Sequence, residues 1–295
     1  MQPITKQLDR LWPNWYDWVM LTRLNRPIGS YLLLGPTLWA LWIAGEGKPD
    51  ISLVIIFITG VFLMRSAGCI INDFADRHWD GAVKRTTDRP LVTGRLSAKQ
   101  ALKGFAVLIG LAFLLVLLTN KLTIMLSFAA VGLASLYPFT KRFTHLPQLF
   151  LGLAYSMAIP MAFAAQAGEI PKVAWLLYIA NMSWTMAYDT LYAMVDRDDD
   201  LKVGIKSTAV LFGDLDLFMV STLYAITLSC LVLAFGQLEL GVFAYLGVVI
   251  GGLYFAWLVW SSRDRSREAC FKAFLQNYWF GLIVWAGLAL HYLVA

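Results

Sequence analysis

Arg65-Ser-Ala-Gly-Cys-Ile-Ile-Asn72-Asp73-Phe-Ala-Asp76-Arg77-His-Trp-Asp80 closes an apolar run that begins near residue 51. Its length is that of a helix crossing a bilayer, about 20 residues, and it ends in carboxylates. Working outward, apolar runs of similar length recur at about 27–44, 51–72, 104–119, 122–140, 148–166, 173–195, 209–235, 241–260 and 275–294. With 59% hydrophobic and 15% charged residues and a mean hydropathy of +0.64, the chain exceeds the apolar share of a soluble domain, about 45–50%. These numbers exclude a disordered chain and argue against a soluble globular one. The expected fold is an all-α polytopic membrane protein of nine transmembrane helices, with residues 27–295 forming one domain. Residues 1–26 carry charges throughout and show no cleavable signal. Within them Leu11 to Leu24, rich in Trp and Tyr, reads as an amphipathic helix at the cytoplasmic interface.

Three cysteines, Cys69, Cys230 and Cys270, without CxxC spacing, exclude a disulfide scaffold and a thiolate zinc site. The formal charge of +5 follows from topology. With the N-terminus inside, all but four of the 24 Lys and Arg fall in the N-terminal segment and alternate cytoplasmic loops. The exceptions are Lys48, Lys121 and Lys172 on the opposite side and Arg65 within a span. This bias places the N-terminus in the cytoplasm and the C-terminus on the periplasmic side, and the charge requires no nucleic-acid partner.

A second acidic helix end, Asp189-Thr-Leu-Tyr192-Ala-Met-Val-Asp196-Arg-Asp-Asp199-Asp200, mirrors the first. Helical spacing stacks Asn72, Asp76 and Asp80 on one face with Arg65 below them. It likewise stacks Asp189, Tyr192, Asp196 and Asp200. Solvated loop charge is the plainer reading of acids at helix exits. Against it, Asp189 and Arg65 lie about two turns inside their spans, where an unpaired charge costs at least about 2.5–3.5 kcal/mol. Paired carboxylates need a cation between them, and Mg²⁺, held by a few carboxylates, water and phosphate oxygens, suits them. The loops that follow supply Lys84, Arg85, Arg89, Lys141 and Arg142. Carboxylates on one side and Arg and Lys on the other make a clamp for a diphosphate.

Taken in order, Asn72-Asp73-x-x-Asp76-x-x-x-Asp80, Lys84-Arg85-Thr-Thr-Asp-Arg89-Pro90, Tyr137-Pro138-Phe-x-Lys141-Arg142 and Tyr188-Asp189-x-x-Tyr192-Ala-Met-Val-Asp196-Arg-Asp-Asp-Asp200 resemble the UbiA superfamily of intramembrane prenyltransferases. Arg26-Pro27-Ile-Gly and Gly204-Ile-Lys206-Ser207-Thr208 extend the likeness over nearly the whole chain. In particular it resembles members that prenylate 4-hydroxybenzoate on the way to ubiquinone. The resemblance implies nine helices around a cavity opening to the cytoplasm of a bacterial inner membrane, with lateral access for a lipid tail. It implies Mg²⁺ as cofactor, and polyprenyl diphosphate and 4-hydroxybenzoate as substrates. By the same resemblance Asn72, Asp76, Asp189 and Asp196 hold the diphosphate through Mg²⁺, with Asp73, Asp80 and Asp200 as outer members. Arg85 and Arg89 grip diphosphate oxygens, Tyr137 and Lys141 line the pocket, and Arg65 receives the acceptor carboxylate. Other acceptors within the family are the nearest alternative. A transporter would place its carboxylates at the midplane, and a CDP-alcohol phosphotransferase would need a DGxxAR motif that Asp80-Gly81-Ala-Val-Lys-Arg does not match. His78 and His145 read as solvated single histidines at cytoplasmic ends, and His291 lies near the opposite face.

Overall fold

A computed structural model describes residues 13–295, so Leu11 and Trp12 of the expected amphipathic segment lie outside the described residues. Among these there is no strand. A short helix α1 (Trp15–Leu21) precedes α2 (Ile28–Ala44), α3 (Ile51–Asp76), α4 (Ala98–Val116) and α5 (Lys121–Thr140). Two short helices in succession, α6 (Pro147–Ser156) and α7 (Ala158–Ala167), fill the expected fifth run. Then come the long α8 (Lys172–Val203), the short α9 (Thr208–Phe212) leading into α10 (Asp216–Gln237), α11 (Val242–Ser261), and α12 (Arg267–Gln276) breaking into α13 (Tyr278–Val294).

Successive helices pack into a closed ring, in which α13 returns to α2 and α8 touches α6, α7, α9, α10 and α12. Among the described residues, seven segments are long and apolar enough to cross a membrane. The expected spans at 27–44 and 173–195 differ for a physical reason. Helix α2 is short, at 17 residues. Helix α8 is too polar because it faces protein more than lipid: Asn181, Ser183, Thr185 and Thr190 are all buried on it. Their polarity is answered from neighbouring helices. Asn181 Nδ2 donates to Ser156 Oγ at 3.0 Å, and the Thr190 and Thr208 hydroxyls lie 2.7 Å apart. Within apolar surroundings each such group left without a partner costs several kcal/mol.

The core is aromatic with satisfied polar ends. Trp184 lies 5.8 Å from Trp39 and 5.0 Å from Phe280, and Phe280 stacks on Phe255 at 3.9 Å. Asn277, at the break between α12 and α13, accepts from Trp184 Nε1 at 3.0 Å and from the Tyr224 hydroxyl at 2.9 Å. Its amide donates to the Ala273 carbonyl at 2.8 Å, so the break is held by a buried polar knot. Beside it α2 and α13 cross backbone to backbone, since a Cβ on Gly35 would come 2.7 Å from the Gly281 Cα. Such small-residue contacts let helices approach closely where no hydrophobic effect drives them together.

Helix α1 packs against the rest of the protein. Its Leu21 is buried with Ile70, Leu96 and Ala101, which docks the segment onto α3 and the start of α4. That start is fixed by a capping box in which Ser97 accepts from the Gln100 amide and Gln100 accepts from the Ser97 amide.

Candidate active site

Two helix ends build the site. Helix α3 runs on to Asp76 and α8 to Val203, so Asn72 and Asp76 share one helix and Asp189, Asp196 and Asp200 the other. The expected single face for Asn72, Asp76 and Asp80 holds only in part. The helix stops at Asp76, and Asp80 reaches the cavity from the 3-10 turn Asp80–Ala82. Along with Arg65, Arg85, Arg89, Tyr137, Lys141 and Tyr192, all these acids line one cavity of about 1050 Å³.

The charges answer one another across it. Lys141 Nζ reaches Asp76 Oδ2 at 2.7 Å and Asn72 Oδ1 at 3.4 Å, joining α5 to α3. Arg85 grips Asp196 through Nε and Nη2, the latter at 2.5 Å, joining the loop after α3 to α8. Arg89 meets Asp80 at 2.5 Å and Asp73 at 2.9 Å. Asp73, 1% exposed, is also engaged by both oxygens to Arg23 at 2.9 Å. That second arginine, from the segment after α1, gives Asp73 a fastening role that its place in the Asn72–Asp76 motif does not reveal. Among the described residues neither Asp189 nor Asp200 forms a salt bridge. Burial pushes the Asp80 carboxyl up to about 6 against the pull of Arg89. The Asp200 carboxyl rises to about 7, through burial and the neighbouring Asp196. Asp198 and Asp199 turn away and meet Arg267.

Deeper in, the walls become apolar: Phe57, Val61, Ile109, Phe113 and Val131 line the same cavity. Arg65 stands between the two zones, about 10 Å below Asn72 at the 1.5 Å rise of a helix. Its Nη1 donates to Cys69 Sγ at 2.8 Å, while its Nε is buried without a partner among the described residues. The cavity is thus charged at one end, apolar along its length, and holds one incompletely satisfied guanidinium.

The family model for the UbiA prenyltransferase family matches residues 33–282. The chain belongs to the UbiA prenyltransferase family. It is a prenyltransferase and a multi-pass membrane protein. Two similar relatives are both named 4-hydroxybenzoate octaprenyltransferase. That of Pseudomonas syringae pv. tomato is 58% identical over 289 residues, covering 98% of each chain. That of Pseudomonas fluorescens is 54% identical over 291 residues, 99% of this chain and 98% of its own. Among solved structures, a UbiA homologue from Aeropyrum pernix superposes with a TM-score of 0.79 at 23% identity. It covers 88% of this chain and 97% of its own. A homologue from Archaeoglobus fulgidus, bound to GPP and Mg²⁺, gives 0.70 at 17% identity over 91% and 99%.

No three acidic, histidine or cysteine side chains among the described residues come together tightly enough to hold a metal by themselves. The donor set still suits Mg²⁺, which keeps few protein carboxylates and completes its shell with water and substrate phosphate. The carboxylates of α3 and α8 line one and the same charged mouth.

Neither Arg23 nor Gly29 stands out from the sequence. Arg23 looks like one more cytoplasmic charge, although it sits in the left-handed backbone region at φ 59°, a conformation uncommon for a non-glycine residue. Gly29 is visible only as part of Arg26-Pro27-Ile-Gly.

Proposed function

We propose that this protein transfers a polyprenyl chain from an all-trans polyprenyl diphosphate to the ring carbon ortho to the hydroxyl of 4-hydroxybenzoate. The products are 3-polyprenyl-4-hydroxybenzoate, on the way to ubiquinone, and diphosphate. The reading is carried by the cavity, which joins a mouth of opposed acids and cations to an apolar gallery through Arg65. The names of the two Pseudomonas relatives support the acceptor and a long tail.

On this reading Asn72, Asp76, Asp189 and Asp196, with Asp80 and Asp200 around them, hold Mg²⁺ against the diphosphate. Bound there, Mg²⁺ supplies neutralising charge to the leaving group. Arg85, Arg89 and Lys141 donate to diphosphate oxygens as negative charge builds on them and the allylic C–O bond breaks. Tyr137 lies beside Lys141, whose Nζ is 5.9 Å from its ring centroid, and offers a ring face to the allylic cation. Tyr192 carries Arg85 at 4.6 Å and stacks on Phe274 at 4.5 Å, so it supports the arginine. Arg65 fixes the acceptor by its carboxylate. The phenol hydroxyl activates the ortho carbon for attack, and loss of the ring proton restores aromaticity. The apolar gallery keeps water from the cation. Nine spans, with the N-terminus and the charged mouth on the cytoplasmic side of a bacterial inner membrane, complete the picture.

The test is purified enzyme given 4-hydroxybenzoate and a short allylic diphosphate, with and without Mg²⁺, followed by mass spectrometry. A Mg²⁺-dependent 3-prenyl-4-hydroxybenzoate is expected. Product on another aromatic acceptor alone would overturn the acceptor assignment, and equal turnover in chelator would overturn the role of Mg²⁺.

A further inference from the structure

The guanidinium of Arg65 is committed on one side only. Nη1 is bound to Cys69, Nε is buried without a partner among the described residues, and Nη2 is the donor of the planar fork left to meet a carboxylate. Nε, Nη2 and Cζ pack over Gly29 in the first turn of α2. A Cβ on Gly29 would fall 2.1 Å from Nε, 2.6 Å from Nη2 and 2.7 Å from Cζ. Gly29 is buried, and it lines the same cavity as Arg65. The three atoms nearest to that Cβ all belong to the end of the Arg65 side chain, and none to the backbone of another helix. The atoms a methyl group meets first here are therefore the flexible end of a side chain, and within a helix alanine is favoured over glycine. What the methyl group cannot leave in place is the guanidinium, which must move away from α2.

We propose that Gly29 determines acceptor specificity as a positioning residue: its missing side chain lets the Arg65 guanidinium lie against the first turn of α2, with Nε enclosed there and Nη2 left to meet the carboxylate of the aromatic acceptor. The inference rests on the assignment of Arg65 to that carboxylate. It accounts for a glycine directly beneath the tip of a buried arginine. It also separates the acceptor side of the cavity from the diphosphate side, since Gly29 makes none of the ion pairs at the mouth.

Steady-state kinetics and equilibrium binding of 4-hydroxybenzoate on purified Gly29→Ala, Arg65→Ala and the double variant test it. Gly29→Ala is expected to weaken 4-hydroxybenzoate, in KM and in Kd, by about ten-fold or more, the scale of one charge-assisted contact. The KM for the allylic diphosphate, kcat at saturating acceptor and the melting temperature stay near wild type. The methyl ester of the acceptor, which lacks the carboxylate charge, loses little from Gly29→Ala. In the Arg65→Ala background the added methyl group changes nothing further, because its target is gone. If Arg65→Ala leaves 4-hydroxybenzoate binding unchanged, the assignment of Arg65 fails and the inference falls with it. If Arg65→Ala weakens the acceptor but Gly29→Ala does not, only the role of Gly29 is overturned. That role is overturned equally if Gly29→Ala weakens both substrates alike, or acts as strongly without Arg65 as with it.

Discussion

At the scale of single residues, the site is a set of exchangeable ion pairs. Asp76 and Asp196 each hold one cation and face the cavity. Replacing either by asparagine keeps the shape and one oxygen but removes the charge. Turnover of Asp76→Asn and Asp196→Asn is expected to fall by at least about 10²–10³, the scale of losing one group that stabilises developing charge. The purified variants should melt within a few degrees of wild type, and full activity in either would remove the proposed metal and diphosphate site. These two aspartates are legible from sequence because spacing alone stacks them on helix ends. The contacts of Asp73 and Arg65 are not. Asp73 is decided by Arg23, 50 residues away, and Arg65 by an absent side chain on another helix. No local pattern encodes either.

Among elements, α8 carries half of the acidic mouth, and the far side of its end is anchored. Asp216, fully buried at the start of α10, pairs with Arg197 of α8 and at 2.9 Å with Arg265 of the loop before α12. Substituting Asp216 by asparagine leaves two arginines facing one another without an anion. The cost is about 3 kcal/mol, the low end for breaking a buried pair because both arginines keep part of their hydration. Thermal denaturation in detergent should show a clearly lowered melting temperature for Asp216→Asn; an unchanged one would show the anchor to be unimportant. Hydropathy locates most of the spans to within a few residues, since lipid-facing helices must be apolar. It is a poorer guide to α8, where burial in protein tolerates Asn181, Thr185 and Thr190, and it does not foresee that α3 continues through Asp76 while Asp80 comes from a separate turn.

For the whole molecule, the positive charge is sorted to one side of the sequence-derived topology, and the acidic helix ends fall on that same side. Alkaline phosphatase fused after Ala295 is expected to be active and a fluorescent protein at the same point dark; a bright fluorescent fusion would reverse the proposed orientation. The pairing of every proposed diphosphate-gripping cation with a carboxylate has one more consequence. Before substrate arrives, Lys141 and Arg85 already cancel Asp76 and Asp196, so these acids and cations are not free to meet either ligand alone. On the proposed reading, a divalent ion by itself must displace cations from the acids, and a diphosphate by itself must draw them off and strand the acids. Arriving together, each relieves the penalty the other incurs. Affinity for one should therefore climb with the concentration of the other, and by reciprocity to the same degree, which would make the empty enzyme indifferent to the abundant free ions and phosphates of the cell.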